Sequence, residues 1–154
     1  MPIGSIATVA IGICLPLYSQ VQTVTIGFPE GSVEISEGAY WHIAEAAGLM
    51  VGNELAELHL DAYFPYGAGR EDEPAMSLAR ARTEAVRRTA VQLGVASELV
   101  GEGQSALGWD IDAAGQTRPV PFPAEQLNVV EMRIRVKADC HPLAEEARRT
   151  NPYR

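Results

Sequence analysis

Ser77 to Leu93 runs without a glycine or proline and is rich in Ala and Arg, a composition that commits the stretch to a helix. Leu78, Ala81, Ala85, Val86 and Leu93 supply its apolar positions, and Gly94 follows the last of them as a C-cap. Upstream the hydrophobic period falls to two. Within Glu54 to Tyr63, Leu58, Leu60 and Ala62 alternate against His59, Asp61 and Tyr63, the pattern of a half-buried strand. Downstream, a short strand is expected around Leu99-Val100.

The same two periods organise the rest of the chain. Val24, Ile26 and Phe28 alternate within Val21 to Phe28, and Pro29 ends that strand. Ser32 to Gly48 reads as a loop and then a helix, with Ile35, Ala39, Ile43 and Ala46/Ala47 near a 3.6-residue spacing. Ser36 and Glu37 give that helix a polar start, and Gly48 or Gly52 a stop. A loop with Pro65, Gly67, Gly69, the acidic run Glu71-Asp72-Glu73 and Pro74 leads to the second helix. Residues 106–127, with Gly108, Gly115 and a proline-rich stretch from Arg118 to Pro123, read as a long loop holding at most a helical turn. Met132, Ile134 and Val136 alternate against Arg133 and Arg135 in a last strand over Asn128 to Val136. The order predicts an α+β fold: a two-layer β-α-β-α-β-β sandwich with a sheet covered on one face by helices.

Charge narrows the function. Twelve Lys and Arg against twenty Asp and Glu give a net charge of −8 over 154 residues, unsuited to general binding of a phosphate backbone. Two cysteines, Cys14 and Cys140, exclude a disulfide-dense scaffold, and His42, His59 and His141 show no metal-ligand spacing. No nucleophile-base arrangement stands out, so neither an enzyme, a cofactor nor a metal is expected. Every charged residue lies after Gln20, and Ile6 to Leu17 is apolar and about as long as a signal-peptide core. Residues 1–20 are therefore expected to be a signal peptide, 21–138 the folded domain and 139–154 a charged tail. A buried first strand is the other way to use so apolar a segment. No transmembrane segment is expected in the mature chain. Cleavage would remove Cys14 and leave Cys140 as a lone thiol; Ile13, where a small residue is wanted, speaks against lipidation of Cys14.

In their order, these landmarks resemble the OmpA-like, peptidoglycan-binding domain family over roughly Val21 to Val136. Ser32-Val-Glu-Ile35 and Gly38 are similar to the family's approach to its first helix, and Leu60-Asp-Ala-Tyr-Phe-Pro65 takes the place of its strand ending in Gly-His/Tyr-Thr-Asp. Leu78-Ala-Arg-Ala-Arg82-Thr83 resembles Leu-Ser-x-x-Arg-Ala, Gly101-Glu-Gly103-Gln104 resembles Gly-x-Gly-Glu, and Val130-Glu131-Met132 resembles Val-Glu-Ile. The resemblance implies a mixed sheet and an envelope protein in the periplasm of a Gram-negative bacterium. Its partner would be the diaminopimelate of peptidoglycan stem peptides, or else an envelope protein.

That ligand presents an ammonium beside a carboxylate, and a receptor needs an anion for one and a forked donor for the other. The resemblance assigns the donor to Arg82, whose place near a helix N-terminus also suits a carboxylate. Arg82 also reads as surface charge, or as a partner for Glu84 or Glu71. The family's Asp aligns with Pro65, its Thr with Phe64, and its Arg pair before the last strand with Asn128 and Val129. Asp61 and the Glu71-Asp72-Glu73 run are the candidate substitutes for the missing anion, and Asp72 is the one carried forward from that run. Tyr63, in the aromatic cluster Tyr63-Phe64-Pro65-Tyr66, completes the candidate ligand-binding set of Arg82, Asp61, Tyr63 and Asp72.

Overall fold

The computed structural model describes residues 18–67 and 70–137. The tail expected from 139, both cysteines and all but the last three residues of the expected signal peptide lie outside these residues. In chain order the elements are β1 (Tyr18–Gly27), α1 (Glu37–Met50), β2 (Ala56–Tyr63), the two-residue strands β3 (Tyr66–Gly67) and β4 (Arg70–Glu71), α2 (Glu73–Gln92), β5 (Val100–Ser105), β6 (Leu107–Ile111), β7 (Thr117–Pro121) and β8 (Val129–Lys137).

Four strands form the main sheet in the order β1-β8-β2-β5. β8 runs antiparallel to both neighbours, pairing Ile26 with Val130 on one side and Leu60 with Met132 on the other. β2 and β5 are parallel, with Leu58 opposite Val100. The sheet is therefore mixed, as the resemblance implied. One face carries Ile26, Leu58, Leu60, Ala62, Val130, Met132 and Ile134, and both helices pack there through Ala39, Ile43, Ala46, Met50, Ala79, Val86 and Ala90. The opposite face holds the alternating polar set, so the period-2 segments each bury one side as their patterns require.

The helix ends follow local chemistry. Ser36 caps α1 by accepting from the Ala39 amide at 3.1 Å. α2 starts four residues earlier than the apolar periodicity suggested, because Asp72 caps it through the Ala75 amide at 3.1 Å and Pro74 fits the first turn. Beyond its end, Gly94 sits at φ +102°, a backbone state that only glycine adopts freely.

One expectation fails. Residues 106–127 are not a loop: β6 and β7 form a β-hairpin, with Trp109 opposite Pro119 and Leu107 opposite Pro121, followed by a 3-10 turn at Ala124–Gln126. Pro119 and Pro121 lie two apart, so both turn the side that lacks an N–H the same way, outward from this two-stranded ribbon. At the turn, Asp112 accepts from the amides of Ala114 and Gln116, each at 2.9 Å, and Gly115 takes φ +77°.

Candidate functional site

A cavity of about 340 Å³ opens where the β1–α1 loop, the end of β2, the first turns of α2 and the approach to β8 meet. Leu78, Ala79, Phe64 and Pro65 give it apolar walls, while Glu30, Asn128 and Arg82 supply polar groups. Arg82 projects from α2 and is only 2% exposed. Its guanidinium donates from Nε to the Ser32 carbonyl (2.8 Å), from Nη1 to the Leu127 carbonyl and the Asn128 Oδ1 (3.1 Å each), and from Nη2 to the Pro29 carbonyl (3.0 Å). The Phe28 ring lies 5.3 Å from its Cζ, within cation-π range. Burial lowers the Arg82 pKa below its ordinary value. So Arg82 is neither surface charge nor an ion-pair partner of Glu84; Glu84 instead approaches Arg88 at 3.8 Å on the helix exterior. It binds two chain segments, 29–32 and 127–128, and among the described residues no carboxylate neutralises it.

Asp61 lies on the other face of the sheet. Its Oδ1 is 3.2 Å from His59 Nε2, and its Oδ2 is 3.2 Å from Arg133 Nη2. The latter is an ion pair without an aligned hydrogen bond, since Oδ2 is buried with no N–H directed at it. Arg133 also donates to the Tyr63 hydroxyl (3.2 Å) and to Glu131 Oε2 (3.3 Å), and the Tyr63 hydroxyl donates to Glu131 at 2.8 Å. Burial, and then the hydrogen bond to Glu131, push the Tyr63 pKa up to about 12. Burial opposes the charge on Arg133, but Asp61, Tyr63 and Glu131 outweigh it and hold its pKa above the ordinary value. Phe122, directly after β7, packs against this network, its ring centroid 4.2 Å from that of Tyr63.

Of the four candidate residues, Arg82 and Tyr63 line one cavity. Asp61 belongs to the polar network behind the sheet, joined to Tyr63 through Arg133, and the exposed Asp72 is the cap of α2. Glu30 and Asn128 line the cavity but were not in that candidate set. Asn128 was visible as a departure from the family pattern. Glu30 carried no motif, only a position after the strand-ending Pro29. Among the described residues no group of three or more His, Cys, Asp or Glu gathers as a metal site, and no helix is long and apolar enough to cross a membrane.

The sequence matches no protein-family model and no curated protein. Solved structures do match. The OmpA-like domain of FopA1 from Francisella tularensis is 16% identical, with a TM-score of 0.56 over 77% of each chain. The peptidoglycan-associated lipoprotein from Burkholderia pseudomallei is 15% identical, with a TM-score of 0.53 over 74% of this chain and 89% of its own. The periplasmic domain of Helicobacter pylori MotB is 16% identical, with a TM-score of 0.53 over 88% of this chain and 90% of its own. With a mixed β1-β8-β2-β5 sheet and two helices on one face, this chain has the fold of the OmpA-like domains.

Proposed function

We propose that this chain is a non-catalytic envelope protein of a Gram-negative periplasm that binds peptidoglycan non-covalently, through the cavity Arg82 lines. One observation carries the reading. A buried arginine with no carboxylate partner among the described residues borders a 340 Å³ cavity in a fold shared with the peptidoglycan-associated lipoprotein from Burkholderia pseudomallei. A buried cation without a counter-ion attracts an anion, and the carboxylate of a stem-peptide diaminopimelate fits that need. A second reading, a protein-interaction module, draws on Trp109 and Ile111, which stand 74% and 68% exposed on the hairpin.

Co-sedimentation with purified diaminopimelate-type sacculi tests the first reading, beside a Pro65→Asp variant that restores the family's acid. The wild type is expected in the pellet. If the wild type stays in solution and Pro65→Asp pellets, peptidoglycan binding has been lost and the protein-interaction reading takes over.

A further inference from the structure

We infer that Glu30, Asn128 and the one remaining N–H of Arg82 together recognise a head group with an ammonium and a carboxylate on one carbon in this cavity. This rests on the peptidoglycan reading above and names the residues that replace the family's missing acid.

A guanidinium has five N–H donors, and protein acceptors take four of those of Arg82. One Nη2 N–H is left, enough for an end-on contact to a carboxylate oxygen but not for a fork. The second donor comes from Asn128. Arg82 has no acceptor, so the amide atom facing it must be Oδ1, at 3.1 Å. That contact fixes the orientation of the amide and leaves its Nδ2 hydrogens without a protein partner at the cavity wall. A carboxylate bound there receives one N–H from Arg82 and one from Asn128.

The ammonium needs an anion on the same rim. Pro65 cannot supply one, and Asp61 is committed to His59 and Arg133 behind the sheet. Glu30 lines the cavity, and among the described residues its carboxylate makes no hydrogen bond or ion pair. The backbone leading into Glu30 is anchored at the cavity, because the preceding residue, Pro29, gives its carbonyl to Arg82 Nη2 at 3.0 Å. Leu78, Ala79, Phe64 and Pro65 offer apolar contact for the aliphatic stem that carries such a head group.

Two near-isosteric variants test this, Glu30→Gln and Asn128→Asp. The second keeps an acceptor for Arg82 but replaces the donating amide with a carboxylate that repels the ligand's own. Binding of free meso-diaminopimelate is followed by NMR chemical-shift titration, sacculus binding by sedimentation, and folding by thermal unfolding. Each variant is expected to bind the amino acid about tenfold or more weakly, the range for losing one charged hydrogen-bond partner, with its unfolding temperature not lowered. If the wild type pellets with sacculi while both variants bind meso-diaminopimelate as the wild type does, the Glu30–Asn128 assignment is overturned and the peptidoglycan reading stands. The same holds if the wild type pellets but does not bind the free amino acid. If the wild type does neither, both fall.

Discussion

Gly103 lies opposite Asp61 in the parallel β2–β5 ladder, where a Cβ on it would stand 3.0 Å from Asp61 Oδ1 and 3.4 Å from His59 Nε2. The glycine is what lets the acid and the imidazole lie across the neighbouring strand. Gly103→Ala should push Asp61 off its contacts with His59 and Arg133 and destabilise the fold by about 1–2 kcal/mol. Gly101→Ala should cost less, although its Cβ would approach His59 Nδ1 to 2.8 Å, because that ring is half-exposed and can swing outward. Urea unfolding of the two variants compares them; equal losses would show that the His59 ring is held as firmly as Asp61.

The polar network behind the sheet has an alkaline limit. The Tyr63 pKa rises from the ordinary 10.0 to about 12, so the folded state holds that proton more tightly than the unfolded state. The resulting stability is complete below pH 10 and is lost as pH climbs from there through about 12. Its size is about 3 kcal/mol at most, two pK units at about 1.4 kcal/mol each. Tyr63→Phe should lower stability at neutral pH by about 1–2 kcal/mol through the lost bond to Glu131, and should flatten the decline above pH 10. An unfolding series against pH checks both, and an unchanged slope in the variant would assign the decline to other groups.

Arg82 is a poor site for a simple loss-of-binding mutation. Removing its side chain strips a donor from Pro29, Ser32, Leu127 and Asn128 together and opens a buried space beside Phe28. Arg82→Ala should destabilise by about 3–5 kcal/mol, and Arg82→Lys should recover only part of that, since an ammonium cannot span the same fork of acceptors. Denaturant midpoints measure the order. A stable Arg82→Ala protein would mean that the two loops hold their positions without the guanidinium.

Both tryptophans stand in water: Trp41 on α1 is 64% exposed and Trp109 on β6 is 74% exposed. The emission maximum of the folded protein should therefore resemble that of the unfolded chain, and iodide should quench nearly all of it. A large red shift on unfolding would place one indole in a buried contact, such as a hairpin packed against a second molecule.

The legible parts of the fold were those where one residue's burial repeats with the element's own period. Leu58, Leu60 and Ala62 announced β2, and Met132 and Ile134 announced β8, because each strand has one face on the core. The hairpin was not legible, since Pro119, Pro121 and Gly108 carry loop signals and only their placement on an outer edge makes them compatible with a ladder. Arg82 stood out through its place in a helix opening, but its burial did not. An arginine on an Arg-rich helix looks solvated unless one knows that four acceptors converge on it from residues 29–32 and 127–128. Glu30 was silent for the same reason: its role depends on neighbours about fifty residues away or more.

The place of β8 between β1 and β2 bears on how the molecule can be made. Until residues 129–137 leave the ribosome, β1 has no neighbour to bond with and β2 has one side bare. Synthesis must therefore deliver nearly the whole domain as an open chain, and the sheet then closes late, around its final strand. A stop at residue 128 should yield not a smaller domain but a protease-sensitive polypeptide.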